Sequence, residues 1–110
     1  MAELLVMNTP APDDYDIIEI FGLVTGLTAR TRGIGGKLIA GLEAMAGGEV
    51  TAYTSEMEKA RFEAIERMKE KATKLGANAV VGVDIETSEI YIGIVLISAT
   101  GTAMIVKKKK

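Results

Sequence analysis

The stretch of this chain whose residue types most suggest chemistry is Arg30-Thr31-Arg32-Gly33-Ile34-Gly35-Gly36-Lys37. Two guanidiniums, an ammonium and several glycines stand just before a helical pattern, where free backbone N–H groups and the helix dipole favour an anion. Arg30, Arg32, Gly35, Gly36 and Lys37 are therefore the anion-binding candidates. The stretch departs from both familiar phosphate loops. Thr31 stands where a P-loop needs its first glycine, and Leu38 replaces the Ser or Thr after the lysine. Leu38 also occupies the last glycine of a dinucleotide fingerprint. The competing reading is a glycine-permitted turn carrying solvated arginines.

Hard-oxygen chemistry would fall to Asp84, Glu86 and Glu89, on or just after a strand, together with Glu49. Glu49 and Asp84 are the metal candidates of this set, although such residues usually face solvent. Glu19 shares a strand side with Ile17 and Phe21, and a carboxylate on an apolar face needs a partner to stay charged. A neighbouring subunit would satisfy it as well as a catalytic role would. The six methionines fall mostly at core-facing helical positions, which favours packing over a soft-metal site.

There is no cysteine and no histidine. That removes disulfides, thiol nucleophiles, imidazole and thiolate metal ligands, and every histidine-dependent triad. No nucleophile and base can be paired, so the expectation is a protein that is not an enzyme and carries no cofactor. Any catalysis would have to use carboxylates, tyrosine and lysine alone.

With 110 residues the chain fits one domain, and folding at that size removes only about 65% of the surface the unfolded chain exposes. Yet 48% of the residues are apolar, more than such a monomer easily hides, which points to self-association. The formal charge of −2 gives little global attraction to nucleic acid or an anionic membrane. Lys107 to Lys110 is read as a flexible, solvated tail. The acidic start and the shortness of the longest apolar run give neither a signal peptide nor a spanning helix, so a cytoplasmic location is expected.

The element that must organise these residues is a helix over 55–75. Met57, Ala60, Ala64, Ile65, Met68, Ala72 and Leu75 recur every three or four residues. Ser55 and Glu58 form a capping-box pattern, Gly76 marks the end, and Glu63 with Arg67 and Glu70 with Lys74 are i,i+4 pairs on the solvated side. Strands are expected at 15–24, 78–87, 90–99 and 102–106, with a short leading strand at 4–7 and a short helix over 35–46. The 90–99 run is apolar on both sides, with Ile90, Ile92, Ile94 and Leu96 on one and Tyr91, Val95 and Ile97 on the other. One helix covers one side of it; a second subunit, or the 35–46 helix, would have to cover the other.

Gly22-Leu23-Val24-Thr25-Gly26, Arg32-Gly33-Ile34-Gly35, Gly47-Gly48-Glu49, Tyr53-Thr54, Ala64-Ile65-Glu66-Arg67-Met68, Leu75 to Val83 and Gly101-Thr102-Ala103 together resemble the YbjQ-like family nearly end to end. The resemblance implies an α+β, dodecin-like β-α-β-β subunit, with an antiparallel sheet on one long helix, assembled as a homopentamer. Members of that family are often labelled "putative heavy-metal-binding", a label at odds with a chain lacking cysteine and histidine. The expectation is thus a homo-oligomeric binding or scaffold protein holding a small anion or metabolite at subunit junctions near Arg30 and Arg32. Carboxylate-based metal binding is the alternative.

Overall fold

The computed structural model describes residues 4–31, 51–91 and 94–110. Its elements are β1 (Leu5–Val6), β2 (Tyr15–Thr31), α1 (Thr51–Leu75), β3 (Ala79–Tyr91) and β4 (Ile94–Lys108). The strands form one sheet in the order β1-β3-β4-β2. The three long strands are antiparallel to their neighbours, and only the short β1 runs parallel, beside β3. One helix lies across one face, which is the expected α+β arrangement. The short helix over 35–46 lies outside the described residues.

Helix α1 follows from its spacing. Ala60, Ala64, Met68 and Ala72 are fully buried at successive four-residue steps and meet Val24, Val80, Val95, Ile97, Ala99 and Ala103 of the sheet. Small side chains in that stripe let the helix backbone approach the sheet closely, and Gly26 of β2 accepts the approach: a Cβ there would run into the Ala64 carbonyl oxygen and the Met68 nitrogen. The helix ends as expected. Gly76 takes φ +92°, its N–H donates to the Thr73 carbonyl at 3.0 Å, and the Ala77 N–H donates to the Ala72 carbonyl at 3.1 Å. These are the two bonds of a Schellman motif. Its start differs from expectation. The helix already runs from Thr51, so Ser55 and Glu58 lie inside it and cap nothing. A Ser-x-x-Glu spacing carries no cap when good helix-forming context continues upstream, as Ala52 allows here.

The strand boundaries also move. The expected 90–99 strand is not one element: β3 ends at Tyr91, β4 begins at Ile94, and these two residues are cross-strand partners. Conversely, Thr100 and Gly101 do not divide β4, which is continuous to Lys108. Gly101 fits because a Cβ there would lie 2.5 Å from Val80 Cγ1. The two sides of β4 therefore differ. Val95, Ile97, Ala99, Gly101 and Ala103 face the helix and are buried, while Leu96, Ser98, Thr100 and Thr102 alternate on the other face and are only partly covered.

That second face is sheltered at one end by the chain's own N-terminal segment. Ala79, Val81, Met104 and Val106 are buried there against Leu5, Met7, Ala11 and Tyr15. The segment is held by backbone bonds, from Gly82 N–H to the Thr9 carbonyl (2.9 Å) and from Val83 N–H to the Met7 carbonyl (3.1 Å). At the other end the face stays open, with Leu23 77% and Leu27 46% exposed.

Candidate functional site

Helix-facing residues at the upper end of β2 meet the outer flank of α1 in a polar cluster. Thr28 Oγ1 donates to Glu63 Oε1 at 2.9 Å, and Arg30 Nη2 donates to Glu63 Oε2 at 2.7 Å. On the helix, Arg67 Nη2 reaches Glu63 Oε1 at 2.7 Å, while Arg67 Nη1 donates to the Leu27 carbonyl. One carboxylate thus serves two guanidiniums and a buried hydroxyl, Thr28 being 3% exposed. The β2 alternation sends Thr28 and Arg30 toward the helix, and the i,i+4 step brings Arg67 over Glu63. Next to this cluster lies an open cleft of 590 Å³ lined by Arg30, Glu58, Lys59, Phe62, Glu63 and Glu66. Three carboxylates and two cations line it, a net acidic balance, and Phe62, 64% exposed, supplies an apolar wall.

Of the anion candidates, Arg30 is placed in this cluster, already engaged by Glu63. Arg32, Gly35, Gly36 and Lys37 lie outside the described residues, as does the metal candidate Glu49. Asp84 sits on the open sheet face opposite Thr100, and Glu86 opposite Ser98. Both are exposed and distant in register from Arg30. Glu19 is exposed on β2. A register shift between Ile17 and Glu19 turns Ile17 toward the face of Val106 and Glu19 toward that of Ile105, so Ile17 leaves the side that simple alternation gives it beside Glu19, while Phe21 stays on the helix side. The terminal lysines are partly ordered. Lys107 and Lys108 complete β4, and the Lys109 N–H donates to the Asp14 carbonyl at 2.8 Å, beside the acidic Asp13, Asp14 and Asp16.

A family model described as "Putative heavy-metal-binding", that of YbjQ, matches residues 4–107. The chain belongs to this family. Relatives include a UPF0145 protein of Thermoplasma acidophilum, 40% identical over 97% of this chain and 90% of its own length. Another, from Saccharolobus solfataricus, is 43% identical over 96% of this chain and 93% of its own length. Among solved structures, a protein of unknown function from Pediococcus pentosaceus, assigned to the DUF74 family, is similar in fold. It has a TM-score of 0.64 at 13% identity and covers 94% of this chain and 98% of the other.

The YbjQ description names metal binding and no reaction, and the residues present do not fit a soft metal. The chain has neither thiolate nor imidazole donors, which thiophilic metals prefer. Among the described residues the thioethers are used in packing, with Met68 and Met104 buried in the two cores. Among the described residues, no three acidic side chains converge as a cation site would require. No described helix is long and apolar enough to cross a membrane.

Proposed function

We propose that this YbjQ-family chain is a non-enzymatic binding or scaffold protein that works as a homo-oligomer, a pentameric ring, with a small anion or metabolite held at the subunit junctions. The observation that carries the reading is unspent surface. The chain exposes 7475 Å², where a compact 11.7 kDa monomer exposes about 5,900 Å². Its radius of gyration is 17.5 Å against about 13 Å for a compact domain of this length. That exposed surface leaves room for a standard interface, about 800 Å² per partner, with a neighbouring copy. Much of it is apolar and lies on strands, including Ile18 (59%), Ile20 (60%), Leu23 (77%) and Tyr91 (70%). Such strands exposed in a lone monomer are an aggregation hazard.

The junction ligand is assigned to the Arg30 end of the molecule because Arg30, Arg32 and Lys37 concentrate cations there in the sequence. Glu63 already neutralises part of that charge, so the ligand class is a small anion with a modest charge requirement rather than a polyphosphate. Native mass spectrometry at micromolar protomer concentration tests both halves of the reading. The expected species is an assembly of five 11.7 kDa chains, about 58 kDa, with extra mass from a bound small molecule. A stable 11.7 kDa particle overturns the assembly, and an assembly of bare protein mass overturns the ligand.

A further inference from the structure

On the sheet face away from α1, β2 carries a row of side chains that plain alternation would not make. Alternation by itself sets Ile17, Glu19, Phe21 and Leu23 on one side. The register shifts at Ile17/Glu19 and Ile20/Gly22 change this. Ile17, Ile20, Leu23 and Leu27 stand beside Val106, Met104, Thr102 and Ser98, all even-numbered positions of β4. Met104 and Val106 belong to the second core, which puts the whole row on the face away from the helix, while Phe21 packs into the first core. The two bulges thus exchange a carboxylate for an isoleucine. What results is a row about 27 Å long with no charged side chain on it or on the even positions of β4 beside it. Its four aliphatic side chains are between 46% and 77% exposed.

We propose that this row is seated on a second copy of the chain by side-chain packing, without strand addition. The proposal rests on the homo-oligomer reading above and names a surface that reading needs. The chain cannot cover the row by itself. Residues 32–50 leave β2 at Thr31 and rejoin the fold at Thr51. Through β4, Ile17 lies about 40 Å from the level of Thr31. Gly26 abuts α1 between Ala64 and Met68, so at about 1.5 Å per residue Thr51 stands about 45 Å from the level of Ile17. The round trip of about 85 Å exceeds the about 65 Å that these nineteen residues span at full stretch. An added peptide strand does not fit either. The bulges interrupt the regular order of N–H and C=O groups along Ile17 to Gly22, and Arg67 holds the Leu27 carbonyl further up. Without charge, the row has nothing to offer a nucleic acid or an anionic membrane; it takes another dry surface. The area suits a copy-to-copy contact. The four aliphatic side chains leave about 400 Å² open, about half of what one partner gives to a standard interface. The half-covered Thr25 and Thr100 beside them extend the patch, and their hydroxyls already bond each other at 3.3 Å, so drying them leaves no donor unpaired.

The absence of cysteine lets a single introduced thiol report on the row. In a lone copy the thiol of Leu23→Cys is the more open of two, since Leu23 is 77% exposed and Leu75, at the end of α1, is 49% exposed. In the assembly, alkylation by iodoacetamide under native conditions is expected to be about tenfold slower for Leu23→Cys than for Leu75→Cys, the reverse of the lone-copy order. A faster reaction of Leu23→Cys in an assembly of intact mass would overturn the proposal and leave the row to a foreign apolar partner, with the oligomer reading untouched. Ile20→Glu sets a charge in the middle of the row, and native mass spectrometry at micromolar concentration is expected to find single chains with an unchanged far-ultraviolet circular dichroism spectrum. An Ile20→Glu protein that assembles as the parent does would overturn the row as a contact. A monomeric mass for the unmodified protein would overturn both readings.

Discussion

The close approach of α1 to the sheet makes Gly26→Ala the sharpest test of how the fold is packed. The added Cβ meets the Ala64 carbonyl oxygen and the Met68 nitrogen, both helix backbone atoms that cannot step aside by a rotamer change. The helix must retreat by about 1 Å, and a gap of that size forfeits about a quarter to a half of the dispersion at each facing contact. The contacts at stake are those of Ala60, Ala64, Met68 and Ala72, all fully buried, with Met57 and Ile65 at their flanks. Burying a Met is worth about 1.5–3 kcal/mol and each methyl about 0.8 kcal/mol, so the expected loss is about 2–4 kcal/mol. That is a large share of the roughly 5–15 kcal/mol by which a domain is stable. Urea unfolding followed by far-ultraviolet circular dichroism, at one fixed protomer concentration, should show the midpoint falling by about 1–2 M. Because the obstruction is backbone, Ala64→Gly in the Gly26→Ala background should not restore stability. A Gly26→Ala protein within about 0.5 kcal/mol of the parent, or one rescued by Ala64→Gly, would refute the argument.

Asn78→Ala should cost about 2 kcal/mol in the same assay. Its side chain donates to the Val106 carbonyl and accepts from the Val106 N–H, each at 2.8 Å, and both groups sit in the second core. Glu63→Gln and Glu63→Ala separate the two jobs of that carboxylate. The Arg30 and Arg67 side chains are 32% and 52% exposed, so losing their ion pairs should cost Glu63→Gln about 1 kcal/mol at low salt and almost nothing in about 1 M salt. Glu63→Ala should lose about 1–2 kcal/mol more at either salt, because the buried Thr28 hydroxyl is left without an acceptor. Equal, fully salt-sensitive losses for the two variants would contradict the placement of Thr28.

The helix was legible because its signals are local. The four-residue apolar stripe and the glycine beyond Leu75 are consequences of a repeating backbone geometry, and both recur in α1 and its Schellman end. The β-branched runs located the strands for the same reason, and the missing cysteine and histidine fixed the available chemistry outright. What depends on partners distant in the chain had no such signature. The end of β3 at Tyr91 and the start of β4 at Ile94 fall within one apolar run, and only pairing with Thr31 and the rest of β2 decides where one strand stops. The bulges of β2 shift Ile17 and Glu19 to different faces, which no count of alternate residues foresees. Glu63 and Arg67 looked like a solvated helix pair; the fold brings Arg30 and Thr28 to the same carboxylate across more than thirty residues of chain. Sequence determines which hydrogen bonds and apolar stripes an element can offer, since those repeat along the backbone. Tertiary structure decides which are spent and which edges are left over, since that depends on what each element meets.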